Sequence, residues 1–277
     1  MQCEKGQLTR LSAVIIAVAF YAGGVSAQPS PAELAARIDA AYAEYIRQVD
    51  HVVITSEITE GLAQGTVTRT RFEKSEKEGR PILKAVQDDD AELAQMTGMY
   101  DGMLADMVRH ASAIERGQHA GKAVYVVTVD DADYLASIED FQIDEELDGA
   151  GSAPKKVLLW LDAREYIVHK LEFAQETPVG AEIEVAVLMD EYRTHRGLPV
   201  AHRSRMTISG MDQLAADPEI QQARRQMEQL QEQLANLPPE QRAMIEAQLA
   251  PQLEQFEQMM SPDGAKMEIH VTDVSFE

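Results

Sequence analysis

The sequence predicts an α+β fold: a strongly curved antiparallel sheet of about nine strands, covered by helices and interrupted near its end by an inserted antiparallel helical hairpin. Three observations lead there. Segments of six to eleven residues with a period near two recur along the chain and are joined by tight polar turns. A helical period of three and four appears at 31–49 and again, with a different composition, at 217–260. The last two-period segment comes after that second helical stretch, so the hairpin interrupts the sheet. A sheet of that many strands curls on itself.

The first 27 residues read as a cleaved signal peptide. Lys5 and Arg10 form a short basic region, Leu11 to Ala22 is an apolar run, and Val25-Ser26-Ala27 supplies small residues before Gln28. The run holds about 12 residues, short of the ~20 needed to span a bilayer, which disfavours an uncleaved anchor. Removing Lys5, Arg10 and Glu4 from 25 basic and 47 acidic residues leaves 23 and 46, a net charge of −23. Cys3, the single cysteine, leaves with the signal. A mature chain of 28–277 then has no disulfide, thiol nucleophile or thiolate metal site.

The elements follow in order. Ser30 and Glu33 fit a capping box, and Leu34, Ile38, Ala41, Tyr45 and Val49 mark the apolar stripe of one amphipathic helix. His51 to Ile58, Gly65 to Lys74 and Pro81 to Gln87 alternate as strands. Asp88-Asp89-Asp90 opens a helical stretch to Ala113, broken near Gly98 or Gly102. Further strands run over Ala123–Val129, Lys156–Leu161, Ile167–Ala174, Glu182–Tyr192, Pro199–Ser209 and Met267–Phe276. Turns at Asp162 to Glu165 and Thr194 to Gly197 make three of them a meander. The residues from Asp144 to Pro154 read as a loop. In the insertion, Asp217 caps and Pro218 begins a helix with Ile220, Ala223, Met227, Leu230 and Leu234 on one seam. A second helix from Pro239 carries Met244, Ile245, Leu249, Leu253, Phe256 and Met260.

Charge excludes two function classes. A chain with net charge −22 repels phosphate backbones and anionic headgroups, so nucleic-acid binding and stable membrane association are set aside.

The run VLLWLDAREYIVHKLEF from Val157, followed by MDEYRTHRGLPVAHRS from Met189, resembles the outer-membrane lipoprotein-sorting, or LolA/LolB-like, superfamily of periplasmic proteins. Trp160, Asp162, Tyr166, Asp190, Tyr192, Arg193, Gly197 and Pro199 carry the resemblance, over roughly residues 120 to 210. It implies an incomplete β-barrel closed by helices around an apolar cavity that accepts acyl chains, in a Gram-negative periplasm. It also implies an Arg and aromatic residues on early strands that handle the cargo; Arg69, Arg71 and Phe72 lie in that region, with no motif to align them. The helical insertion departs from the minimal carrier.

The physics of the site can be stated independently. Alternate side chains of a half-barrel face its helices, so Leu158, Trp160, Leu171, Phe173, Val185, Val187, Met189, Met206 and Ile208 are candidates to line an apolar cavity. Taken one at a time, each is better explained as simple core than as a ligand contact. Other chemistry is thin. GxSxG, HExxH, P-loop and GxGxxG motifs are absent from the sequence, and neither an enzyme nor a cofactor is expected. His195 and His202 flank a turn closely enough to meet, but with no third ligand to name they read as exposed strand-end residues. Asp130, Asp131 and Asp133 lack the spacing of a calcium loop and read as solvated surface. Two functions stay open. One is a carrier holding a lipid or lipoprotein acyl chain. The other is an interaction or envelope-stress-sensing module whose hairpin at 217–260 docks an envelope protein.

Overall fold

Ser30 and Glu33 form the reciprocal capping box: the Ser30 hydroxyl accepts from the Glu33 N–H at 3.3 Å, and the Ser30 N–H donates to the Glu33 carboxylate at 2.8 Å. This starts α1 (Pro31–Tyr45), whose buried stripe is Leu34, Ala35, Ile38 and Tyr42, continued by Ile46 and Val49. The stripe runs through Tyr42 where Ala41 was expected, because a helix at 3.6 residues per turn drifts across its own contact face. The computed structural model describes residues 28–61, 64–86, 100–138, 153–177, 180–210 and 264–276, with 213, 221, 222 and 225 as isolated positions. The expected signal peptide, the expected helix start at Asp88, residues 144–152 of the expected loop and nearly all of the expected 217–260 hairpin lie outside the described residues.

Among the described residues, ten antiparallel strands make one sheet: β1 (His51–Gly61), β2 (Val67–Lys77), β3 (Arg80–Val86), β4 (Ala111–His119), β5 (Lys122–Val129), β6 (Lys156–Asp162), β7 (Val168–Glu176), β8 (Glu182–His195), β9 (Leu198–Ser209) and β10 (Ala265–Phe276). Their order is β3-β2-β1-β10-β9-β8-β7-β6-β5-β4. Every strand therefore pairs with its neighbour in sequence, except that β1 joins β10 and the two edges, β3 and β4, do not pair. The sheet is open along that one seam.

The tenth strand is the correction to the expected count of nine. Residues 111–113 were assigned to the preceding helix, which ends earlier, at Arg109. In β4 only Ile114 is buried, and Glu115, Arg116, Gly117 and Gln118 offer no β-branched alternation. An edge strand held by a single neighbour needs little apolar signal, so its pairing with β5 decides it. The helix that remains, α2 (Met103–Arg109), begins after Gly102, as one of the two expected breaks required. A short α3 (Ala132–Ala136) follows β5, with Asp131 accepting from the Tyr134 N–H at 3.1 Å as its cap, while Asp130 and Asp133 are exposed as expected.

The register shifts between Thr55 and Ser56 and between Ile58 and Glu60 where β1 meets β10, and between Trp160 and Leu161 where β6 meets β7. Glu191, at φ 53°, stands opposite His202 between the pairs Asp190↔Arg203 and Tyr192↔Ala201, with no shift of register. The left-handed backbone at Glu191 interrupts the alternation, and the Tyr192 hydroxyl comes 3.7 Å from the Met189 sulfur, three residues away. The core lies on the concave face, where α1 packs on α2 and touches both edge strands, β3 and β4. Two helices thus stand in for the missing β3–β4 pairing.

Candidate functional site

The concave floor is built from transverse rows of paired residues. One row runs Leu171↔Val187↔Met206↔Met267, and the next runs Phe173↔Val185↔Ile208↔Ala265, across β7, β8, β9 and β10. Met189 lies one step further along β8 and pairs with Ser204. Leu171, Val187 and Met189 are buried; Phe173, Val185, Met206 and Ile208 are half-buried. Seven of the nine sequence candidates therefore share one apolar surface that runs from the packed core to a partly covered end.

Leu158 and Trp160 are not part of it. On β6 the core residues are Val157, Leu159 and Leu161, so alternation sends Leu158 and Trp160 to the convex face. There Trp160 pairs with Lys170, whose ammonium sits 4.6 Å from the indole centroid. The period of the strand was legible, but it was uniformly apolar, so which phase faces in was not.

Arg69 and Arg71 alternate with Thr68, Thr70 and Phe72, and it is the latter set that is buried. Phe72 packs edge-on against Tyr100, with centroids 6.3 Å apart at 87°. Arg71 reaches Glu73 at 3.1 Å on the other face.

An aromatic wall closes the helix-covered end of the floor. Tyr42 stands 6.3 Å from Tyr100 and 5.8 Å from Tyr45. Three of the wall's hydroxyls donate to carbonyls: Tyr100 to Pro199, Tyr192 to Val168 at 2.5 Å and Tyr45 to Glu165 at 2.6 Å. Burial pushes the Tyr45 phenol up to about 12, so it remains a donor. The cavity beside Ile38, Tyr42, Ile82 and Tyr100 measures about 10 Å³, room for about one water. No tyrosine of this wall was singled out for the site from sequence, because the residues meet across separations of up to 150 positions.

Between the open edge and the helices lies an ionic cluster that sequence also missed. Arg80, at the start of β3, donates to Asp39 of α1 at 3.2 Å and to Asp106 of α2 at 2.9 Å. Arg109 contacts the same two carboxylates, and Lys77 reaches Asp106 at 3.0 Å. Burial would raise the Asp106 carboxyl, but the hydrogen bonds from Lys77 and Arg80 outweigh it and hold it below the usual carboxylate value. The Arg80 side chain is 16% exposed, so this cluster is partly desolvated.

His195 and His202 do meet, with Nε2 atoms 2.8 Å apart. The expectation that both are exposed strand ends fails for His202, which is 7% exposed under β10 and hydrogen-bonds the Val271 carbonyl. Burial, then Arg193 and His195, push its pKa below the ordinary imidazole value. His110 stacks on Tyr134 at 4.0 Å and bonds Asp131 at 2.7 Å, so Asp131 already serves a cap and an imidazole. Among the described residues no group of three His, Cys, Asp or Glu is placed to hold a metal ion, and no helix is long and apolar enough to cross a membrane.

No family model matches the chain, and no curated protein does. Solved structures are similar at low identity. A domain described as an outer membrane lipoprotein-sorting protein from Vibrio parahaemolyticus is 12% identical, with 89% of this chain and 92% of that one covered and a TM-score of 0.42. A DUF1329 family protein from Desulfovibrio piger is 8% identical over 89% and 92%, TM-score 0.39. A LolA superfamily protein from Nitrosomonas europaea is 13% identical over 88% and 93%, TM-score 0.34.

Proposed function

We propose that this protein is an exported, periplasmic binding or carrier protein that holds a lipid or lipoprotein acyl chain on the concave face of its open sheet, in the manner of lipoprotein sorting. The observation that carries the reading is the half-buried row Phe173, Val185 and Ile208, with Met206, which extends an apolar floor past the packed core. An acyl chain laid on that row gains about 0.8 kcal/mol per methylene removed from water. Met206 adds an unbranched, polarizable side chain that repacks around varied apolar cargo.

The helix-covered end is filled, with about 10 Å³ to spare. A long chain therefore enters it only if α1 and α2 move off the floor. Such movement separates charges rather than breaking a β-ladder, because β3 and β4 share no hydrogen bonds. The reaction is binding and release, with no covalent step.

The test is mass spectrometry of lipids extracted from protein purified out of a bacterial periplasm, together with displacement of a fluorescent acyl probe. Co-purified lipid, and probe binding abolished by Ile208→Asp in a protein that still folds, are expected. Probe affinity unchanged in that variant would show that the floor is only core.

A further inference from the structure

Ile58, Met267 and Ile269 form a second apolar cluster on the concave face, separate from the main core, with Met206 packed against it. They are 3%, 9% and 1% exposed. The cluster lies where β1, β10 and β9 meet, through the pairs Ile58↔Ile269, Ile269↔Ser204 and Met267↔Met206. The adjoining Ser56, Thr68 and Ser204 are buried as well. Among the described residues no side chain of α1, α2 or α3 belongs to this cluster, and those helices pack instead on β3, β4 and β5. Apolar side chains so fully removed from water need a covering layer.

The span 211–263 is tied to the sheet at both ends beside this cluster. β9 ends at Ser209, and β10 starts at Ala265, which pairs with Ile208. Both exits press on neighbouring strands: a Cβ on Gly210 would lie 2.1 Å from the Glu182 carbonyl oxygen, and one on Gly264 2.3 Å from that of Ile208. The Gln213 N–H donates back to the Gly210 carbonyl at 3.0 Å, and its side-chain oxygen accepts from the Glu182 N–H at 3.4 Å. Met206 and Met267 stand one same-face row in from these exits. In sequence the span carries two apolar stripes at helical spacing, through Met227, Leu230 and Leu234 and through Leu249, Leu253 and Phe256. An amphipathic stripe is stable only against an apolar partner. A helix of about 18 residues is roughly 27 Å long, whereas Ile208 and Ile58 are separated by two strand spacings, about 10 Å.

We infer that residues 217–260 dock on the cluster of Ile58, Met267 and Ile269, which makes this part of the concave face an interface for the chain's own insertion. The inference goes beyond the acyl-binding reading. It assigns the β1–β10 half of the face and leaves Phe173 and Val185, on β7 and β8, to cargo, with Met206 on the boundary.

The test is thiol labelling of the full chain, in which Cys3→Ser gives a background without cysteine. Met267→Cys reports on the cluster, and Val67→Cys, at a position 60% exposed, is the reference. Met267→Cys is expected to react at least about tenfold more slowly than Val67→Cys, and to gain at least about tenfold when Leu230→Asp and Leu253→Asp are added, because both stripes then lose their burial. Circular dichroism checks each fold, and Met206→Cys reads the same cluster if Met267→Cys does not fold. Labelling of the reporter as fast as the reference, or protection unchanged by the two aspartates, overturns the inference. Protection that rises with protein concentration places a second copy on the cluster and also overturns it. Loss of acyl-probe binding with protection intact would count against the carrier reading alone.

Discussion

Arg80 and Asp106 meet at 2.9 Å where the sheet is open, and through them an edge strand is tied to the helix that covers the gap. Asp39 brings α1 into the same cluster at 3.2 Å. Arg80→Ala is expected to cost about 1–3 kcal/mol, since it leaves two partly buried carboxylates with fewer donors. Urea unfolding measures it. A loss under about 0.5 kcal/mol would mean that apolar packing alone seats the helices.

Asp106 also sets an acid limit. Its carboxyl is held below its unfolded value, so its contribution is full above the unfolded pKa and is lost as pH falls through the folded one. Asp106→Asn should lower stability at neutral pH and flatten the acid limb of a stability–pH curve. An acid limb as steep as the wild type's would assign the effect to other carboxylates, such as Asp162 and Asp190.

His202 predicts a second pH dependence. Burial keeps its folded pKa below 6.5, so the unfolded chain takes up the proton first. The stability it confers is full above the unfolded pKa and declines as pH falls through 6.5 towards the folded value. Unfolding of the wild type and His202→Gln, compared near pH 7.5 and near pH 5.5, should show a gap that narrows at the lower pH. A gap of constant size would mean that His202 matters only through packing.

Gly264 tests the register at which the insertion rejoins the sheet. Its φ is +77°, and a Cβ there would lie 2.3 Å from the Ile208 carbonyl oxygen. Gly264→Ala should destabilise by more than the roughly 1 kcal/mol typical of backbone strain. Because Ala265 pairs with Ile208, the insertion leaves and returns at neighbouring points. Replacing 212–262 with a short flexible turn should leave a cooperatively folding sheet. A deletion that unfolds the protein would make the insertion part of the core.

Trp160 is the single tryptophan and lies on the convex face beneath Lys170. Its emission should therefore follow global unfolding yet stay nearly constant when an acyl probe occupies the concave floor. A large spectral shift on probe binding would place the ligand on the outer surface.

Much of the fold was legible locally. The capping box at Ser30, the Asp162 turn and the Thr194–Gly197 turn are decided within a few residues, and the structure shows Asp162 accepting from the N–H groups of Arg164 and Glu165 at 2.8 and 3.0 Å. The alternation in β8 was equally readable because Glu182 and Glu184 separate its apolar residues. β4 was not, since an edge strand with one buried residue has almost no pattern to read. For the site, Leu171, Phe173, Val185, Val187, Met189, Met206 and Ile208 came together, while Leu158 and Trp160 faced away because β6 is apolar on both sides.

By itself the sequence determined what short-range chemistry encodes: strand and helix periods, caps, turns, the acidic charge and the identity of the apolar side chains that could meet. Strand order, the unpaired seam between β3 and β4, the left-handed backbone at Glu191, the tyrosine wall and the Arg80 cluster were decided by the tertiary structure. The physical reason is distance along the chain. Asp39, Arg80 and Asp106 are dozens of residues apart, and so are Tyr42, Tyr100 and Tyr192. Nothing in a local period says which distant partner will satisfy a charge or a hydroxyl once the sheet has curved around α1.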